Sequence, residues 1–410
     1  MNNKFLYIYI FCVIFFADTY VIFSWLKPIT ILNYILIFLN LFSNKTILNK
    51  KIKNLQLIFS LFIIFTFAVD LYQNDILKAY SSLITLIPFP VIFGIFSKQR
   101  DNYKYVFFYA QWYIIYNCFF ALLQFSGFYV TAGELLAKLP LIDVDRGFAI
   151  DFSNQGLRTS GAAYSSIGFA CNLGVISIFF YYFKIESILS KKKRIFYLFI
   201  IVVFIILSQT RSVIFALIPV IYLTNLIVNK TNVTNALKVS FSILLTSLSI
   251  IVLLPTIQQS FPRLFLTIEE DVSIVHRIQA NVYGSVGTFY LSPFIGMPFS
   301  ESLTAMNYGY NKLGLFLGNY YVDKVTQHNQ PGYFFRYYGF IGFLFFVLIY
   351  KKMFQIGFSK KLDLNKKILF AILLFHFIYT LSHNNKITSD YYIWIFMALN
   401  LDGLIKQKNI

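Results

Sequence analysis

The stretch HNQPGYFFRYYGFIGFLFFVLIY, residues 328–350, places a histidine and an asparagine directly ahead of a long apolar run. The apolar part, 333–350, has the length and composition of a helix that crosses the hydrocarbon core of a bilayer. Polar groups at the foot of such a helix are costly, so His328 and Asn329 need a chemical reason to be there. The stretch therefore indicates both a membrane fold and a candidate site.

The composition of the whole chain supports the same class of fold. Hydrophobic residues make up 58% of the 410 residues and charged residues only 13%, which excludes an ordinary soluble domain. We predict an all-α polytopic integral membrane protein, with about twelve transmembrane helices in a single membrane domain over 1–410. The predicted spans are 5–23, 26–43, 55–72, 77–97, 105–127, 161–183, 195–209, 212–228, 239–257, 333–350, 368–383 and 389–405.

The net charge of +18 follows the predicted topology. Lysine and arginine cluster in alternate loops, for example at 191–194 and 351–367, and the positive-inside rule assigns those loops to the cytoplasm. Both termini are then expected to lie in the cytoplasm, and the first helix is expected to be an uncleaved anchor. The excess charge matches anionic headgroups, so we expect membrane lipids and no nucleic acid as partners.

Two segments interrupt the pattern of short loops. They are an outer loop at 128–160 and a larger outer loop at 258–332, between the ninth and tenth spans. Long ordered loops tend to carry function, and we expect short helices over the membrane surface in the larger one. His328 lies near the end of the larger loop, so this loop is predicted to carry the active site.

Three arginines fall on the predicted outer face, against the charge bias of the chain. Arg211 lies in the turn between spans seven and eight, Arg158 at the start of span six, and Arg277 in the large loop. Each could simply extend to lipid headgroups, but arginine is also the preferred fork for a phosphate. Together they form a candidate site for a diphosphate, if the fold brings them together.

Other polar residues support weaker alternatives. Asp143 and Asp145 have the spacing that holds a divalent cation on a nucleotide sugar, but nucleotide sugars are cytoplasmic and this loop is predicted outside. His376 and Asp70 lie in or near predicted spans and suggest either a proton path or buried contacts between helices, of which we favour the second. His383 lies in a predicted outer turn, where solvation would explain it.

The order of these residues resembles the O-antigen polymerase and O-antigen ligase superfamily. The resemblance covers the whole predicted topology and is strongest between 156 and 345. Its pattern consists of Arg158 with Ser160-Gly161-Ala162-Ala163-Tyr164-Ser165, Leu207-Ser208-Gln209-Thr210-Arg211, Arg277 ahead of Pro293 and Gly296, and His328-Asn329 ahead of Gly339-x-x-Gly342. The chain departs from the family at Pro331-Gly332, where members commonly carry an apolar residue.

The resemblance implies a GT-C-like fold and a glycosyl transfer on the outer face, with an undecaprenyl-diphosphate-linked oligosaccharide as donor. By resemblance, His328 is the catalytic base, Asn329 assists it, and Arg211, Arg277 and Arg158 bind the diphosphate. A diphosphate ester is already a good leaving group, so we expect neither a metal nor another cofactor. A chain-length regulator is a further candidate partner.

Three functions fit this pattern, and they differ in what happens to the glycan. A polymerase joins lipid-linked repeat units, a ligase transfers the glycan to lipid A-core, and a flippase carries a lipid-linked unit across the membrane. A flippase should place charges along a central cavity, whereas the ionisable residues here gather at predicted outer helix ends and loops. We favour the polymerase, since the composition resembles the products of surface-glycan gene clusters.

Overall fold

The fold is helical wherever regular structure is described. The computed structural model describes residues 3–16, 28–41, 50–88, 91, 102–126, 159, 161, 166–183, 189–229, 272–314, 329–357 and 364–383. Within these ranges the regular elements are twelve α-helices and one 3₁₀ turn, with no strand. The all-α prediction is thereby confirmed.

The twelve helices run in chain order with short turns between several neighbours. They are α1 Asn3–Phe16, α2 Pro28–Leu41, α3 Lys50–Tyr72, α4 Ile76–Leu86, α5 Asn102–Phe125, α6 Ser166–Tyr182, α7 Lys191–Leu207, α8 Arg211–Asn229, α9 Val272–Leu291, α10 Ser302–Leu313, α11 Gln330–Gly357 and α12 Leu364–Ser382. The 3₁₀ turn, Phe299–Glu301, leads into α10.

Three of these helices are long and apolar enough to cross a membrane. They are the stretches Lys53–Tyr72 in α3, Tyr105–Phe125 in α5 and Gln330–Gln355 in α11. Shorter apolar stretches lie in α2, α6, α8 and α12. The chain therefore has the character of a membrane protein, while the number of twelve spans stays a prediction.

Ten of the twelve predicted spans coincide with described helices, and 239–257 and 389–405 lie outside the described residues. Helix boundaries differ from the prediction by several residues, as at span six, which was predicted from 161 but begins at Ser166. The large loop contains α9 and α10, in line with the expectation of helices there. The other long loop, 128–160, is described only at Thr159.

Helix α6 is the centre of the bundle. It is buried on all sides, including consecutive residues from Phe169 to Phe180, and it packs against α5, α7, α8 and α12. Such a helix suits an environment in which every face is apolar, because most of its side chains are hydrophobic. Gly174 allows α8 and α12 to pack closely against α6, because the Phe375 ring and Val213 occupy the space where a Cβ would lie.

Helix α11 consists of two limbs that fold back on each other. Gly339 has φ +62° and ψ −160°, which separates a short limb, 330–338, from a long limb, 340–357. The ring centroids of Phe334 and Phe346 are 5.5 Å apart. A continuous helix would separate twelve residues by about 18 Å along its axis, so the limbs lie side by side. The apolar stretch Gln330–Gln355 is therefore not one straight helix, and the prediction of a single helix over 333–350 is wrong, since only the long limb, 340–357, continues through it.

Helices α9 and α10 form a tightly packed hairpin. A Cβ on Gly287 would collide with the backbone of Ala305, and one on Gly309 with the backbone of Tyr283. Glycine at both crossing points lets the two backbones approach more closely than side chains allow. The hydroxyl of Tyr283 also donates to the carbonyl of Gly314, 3.1 Å away, beyond the end of α10.

Candidate functional site

The turn between α7 and α8 carries the first described part of the predicted site. Gln209 has φ +51°, which allows the chain to reverse within three residues, and it is buried. The Thr210 hydroxyl donates to the carbonyl of Ser166 at 3.3 Å and so attaches the turn to the start of α6. Arg211 is the first residue of α8 and is half-buried.

A second predicted motif joins the first at this turn. The backbone N–H of Thr159 donates to the carbonyl of Leu207 at 3.3 Å. The Gln124 amide makes two bonds to Gly161, donating through Nε2 at 2.9 Å and accepting through Oε1 at 3.0 Å. Gly161 has φ +59° and lies against the backbone of Asn117, so a side chain would be excluded there. The two motifs are far apart in sequence and adjacent in the structure.

His383 differs from the prediction and lies beside the α7–α8 turn. We call the residues gathered at this turn, Thr159, Gly161, Thr210, Arg211, Ser212 and His383, the Arg211 cluster. We predicted a solvated side chain, but His383 is only 6% exposed. Its Nε2 lies 2.7 Å from the hydroxyl of Ser212, the second residue of α8. Its ring lies 4.8 Å from the ring of Tyr379, one turn earlier on α12. The end of α12 is held against the start of α8, which the sequence position of His383 did not indicate.

The fold-back of α11 is clasped by the segment 292–297, which follows α9. Met297 N–H donates to the carbonyl of Arg336 at 2.8 Å, and Phe340 N–H donates to the carbonyl of Pro293 at 2.8 Å. These are groups that a helix end and a helix start leave without helical partners. The backbone of Gly296 meets that of Tyr337, and the backbone of Gly339 meets that of Phe294. Glycine is required on both sides, because a Cβ at either position would collide with backbone.

Side chains from α3 and α4 brace this clasp. Gln73 donates to the carbonyls of Ile295 at 3.5 Å and Tyr337 at 3.4 Å, and so bridges both sides of it through two long hydrogen bonds. Asp70 is buried and pairs with Lys78 at 2.7 Å. The Lys78 ammonium lies 5.4 Å from the ring centroid of Tyr337. The α3–α4 turn is thus attached to α11 by charge, by ring contact and by hydrogen bonds.

Arg336 is a buried cation that the sequence analysis did not single out. It is fully buried on the short limb, donates to the carbonyl of Ser302 at the start of α10, and lies 5.7 Å from the Tyr337 ring centroid. A charge within an apolar run is the signal that would have identified it. Its bond to Ser302 attaches α10 directly to the short limb.

The clasp and the Arg211 cluster lie toward the same end of the bundle. Helices α11 and α12 are antiparallel, since Phe346 contacts Phe377 and Phe354 contacts Phe370. Gly339, at the start of the long limb of α11, and His383, after the end of α12, therefore lie at the same end of this helix pair. Both motifs that the sequence assigned to the outer face are on this side.

The remaining predicted residues have different outcomes. Asn329 caps the short limb, because its Oδ1 accepts from Gly332 N–H at 2.8 Å. Arg277 is half-buried on α9, which packs against α10 and α11. His328, Arg158, Asp143 and Asp145 lie outside the described residues. The roles of His328, Asn329 and the arginines stay predictions, and so does the approach of Arg277 to Arg211.

The contacts of His376 and Asp70 favour buried links between helices over a shared proton path. His376 Nδ1 lies 2.7 Å from the Tyr350 hydroxyl, between α11 and α12, whereas Asp70 pairs with Lys78 near the clasp. Within the described ranges, no group of three or more histidine, cysteine, aspartate or glutamate side chains has the arrangement of a metal site.

No protein-family model and no curated protein matches the chain.

Proposed function

We propose that the protein is a surface-polysaccharide polymerase of the O-antigen type, which joins undecaprenyl-diphosphate-linked repeat units by glycosyl transfer. The proposal places about twelve spans of a GT-C-like fold in a bacterial inner membrane, with both termini cytoplasmic and 258–332 in the periplasm. The supporting observation is the clasp, in which Pro293 and Gly296 meet the Gly339 turn. The two motifs depend on each other, since backbone groups of each form hydrogen bonds with backbone groups of the other.

His328 acts as the general base in this proposal. It takes the proton of an acceptor hydroxyl, whose oxygen then forms a bond to the anomeric carbon of the donor sugar. The bond from that carbon to the diphosphate breaks, the configuration inverts, and undecaprenyl diphosphate leaves. The short limb of α11 begins at Gln330, two residues after His328, and the clasp fixes the other end of that limb.

The arginines bind the leaving group. Arg211, Arg277 and Arg158 offset the negative charge that grows on the diphosphate as the glycosidic bond breaks. Arg211 is attached to the starts of α6 and α8, a rigid place for a group that must be positioned before the reaction. Asn329 caps the short limb through Oδ1 and presents its amide to the imidazole or to a sugar hydroxyl.

The surface-glycan gel pattern of a deletion strain tests the proposal against its alternatives. We expect the strain with a His328→Ala copy to carry lipid A-core with a single repeat unit, and wild type to restore long chains. A ligase would leave bare core with lipid-linked polymer, and a flippase would trap single units inside the cell. Full activity of the His328→Ala copy, at equal protein level in the membrane, would exclude the general-base role.

A further inference from the structure

The His383–Ser212 pair is not used by the mechanism above, although it lies beside one of its arginines. His383 Nε2 and Ser212 Oγ are 2.7 Å apart, and Ser212 directly follows Arg211. The imidazole ring also lies 4.8 Å from the Tyr379 ring, and the backbone N–H of His383 donates to the Tyr379 carbonyl at 3.0 Å. The ring contact and the short Nε2–Oγ distance together orient the imidazole toward Ser212.

The chemistry of this pair suits a hydroxyl that donates to an anion. A serine hydroxyl has one proton and accepts through its lone pairs, so an imidazole N–H that donates to Ser212 leaves the serine proton for another acceptor. Arg211 precedes Ser212 at the start of the same helix and brings a positive charge to that helix end. The Thr210 bond to Ser166 brings the starts of α6 and α8 together, and both helix dipoles add positive potential there.

A further polar group lies next to the same turn. The Thr159 hydroxyl is fully buried and has no hydrogen-bond partner among the described residues, and the Thr159 N–H donates to the carbonyl of Leu207 at the end of α7. A buried hydroxyl without a partner is unfavourable, and this one lies next to the end of α7, close in the chain to Arg211 and Ser212.

We propose that Ser212, held by His383, forms with Arg211 a subsite for one phosphoryl group of the lipid diphosphate. This inference rests on the proposed function and assigns two residues to it that the sequence did not. Ser212 donates to a phosphoryl oxygen, and that bond strengthens as the leaving group gains charge. His383 does not contact the diphosphate and acts as a positioning residue through Ser212.

Binding of farnesyl diphosphate to the full-length protein in phosphatidylcholine nanodiscs tests the subsite. We expect Ser212→Ala and His383→Leu to raise Kd about tenfold or more, the loss typical of a hydrogen bond to a charged group. His383→Gln keeps an N–H for Ser212 and should retain most of the affinity. Lys192→Gln, exposed near the other end of α7, should bind like wild type.

Two competitors identify the source of the phosphate. Farnesyl monophosphate and phosphatidylglycerol should compete weakly, because each offers a single phosphoryl group. Equal competition by phosphatidylglycerol would mean a site for bulk headgroups and would overturn the inference. In polymerisation assays, Ser212→Ala should lower kcat as well as raise KM for the donor, whereas a purely structural role would lower the amount of folded protein and leave both constants unchanged.

The failure of this inference can be told apart from the failure of the proposed function. If Arg211→Gln abolishes farnesyl diphosphate binding while Ser212→Ala and His383→Leu bind like wild type, the subsite is wrong and the polymerase proposal stands. If wild type does not bind farnesyl diphosphate, both are wrong. Should His383→Leu fail to fold, Ser212→Ala alone decides, because it removes one oxygen and leaves the helix intact.

Discussion

At the scale of single residues, glycine conformation controls the candidate site. Gly339 and Gly296 both have positive φ, and each lies against the backbone of the other's segment. The sequence motifs identified both glycines as noteworthy. They did not predict the contact, because the two are 43 residues apart and nothing in the local pattern specifies a partner.

Substitution of Gly339 should therefore be far more damaging than substitution of a glycine with equal strain but free space. Gly314 is the matched control, because it has φ +64° and no atom of the described part of the chain lies within 4 Å of its Cβ position. We expect Gly314→Ala to cost about 1–3 kcal/mol, because its ψ of −152° puts it in a backbone region that essentially only glycine adopts. Gly339→Ala adds a collision with the Phe294 backbone, should cost about 1–3 kcal/mol more and should remove most of the activity. Thermal unfolding of the purified variants measures the difference, and equal melting temperatures would contradict the clasp.

Asn329 allows its structural role to be separated from its proposed chemical role. Asn329→Asp keeps the oxygen that caps Gly332 N–H but lacks the amide donor, whereas Asn329→Ala loses both. We expect Asn329→Asp to unfold like wild type and to lose at least about tenfold in kcat, as removal of a hydrogen bond in the transition state does. Asn329→Ala should also lose about 1 kcal/mol of stability from the missing cap. Wild-type kcat in Asn329→Asp would reduce Asn329 to a helix cap.

At the scale of helices, apolar runs predicted where helices occur but not how they bend. The run 333–350 is predominantly apolar on both sides of Gly339, with Arg336 as its one charged residue, and this pattern did not specify that the helix folds back there. His383 was misread for a related reason. It follows an apolar run by a few residues, which suggests solvent, but the end of α12 is covered by α8 through Ser212. Local pattern determines an element, and its exposure depends on neighbours that the pattern does not name.

The α9–α10 hairpin offers a test at this scale. Gly309→Ala places a methyl group against the backbone of Tyr283, and Gly287→Ala places one against Ala305. Overpacking of this kind costs about 1–3 kcal/mol, and here it would separate the two helices. We expect each variant to lower the melting temperature and to increase cleavage of 258–332 by added protease. Asn311→Ala, exposed on the same helix α10, is the control and should change neither.

At the scale of the whole molecule, the charge pattern and the helix packing agree on which residues share one end of the bundle. The sequence assigned Arg211 and His383 to one face, and the structure brings the residues around Arg211 and the clasp toward one end of the bundle. Packing alone does not say which side of a membrane that end faces. The distribution of lysine and arginine supplies that assignment, because cytoplasmic loops retain positive charge during insertion.

Cysteine labelling would test the predicted orientation directly. In a background where Cys12, Cys118 and Cys171 are replaced by alanine, single cysteines would be introduced at Asn311 and Lys192, both exposed. We expect a membrane-impermeant maleimide to label Asn311→Cys in cells with an opened outer membrane. Lys192→Cys should react only after the inner membrane is also opened, because its lysine-rich segment is predicted to be cytoplasmic. The reverse labelling pattern would mean that the orientation is opposite to the predicted one. His328 would then lie on the cytoplasmic side, where the lipid-linked donor of a periplasmic polymerase is not available.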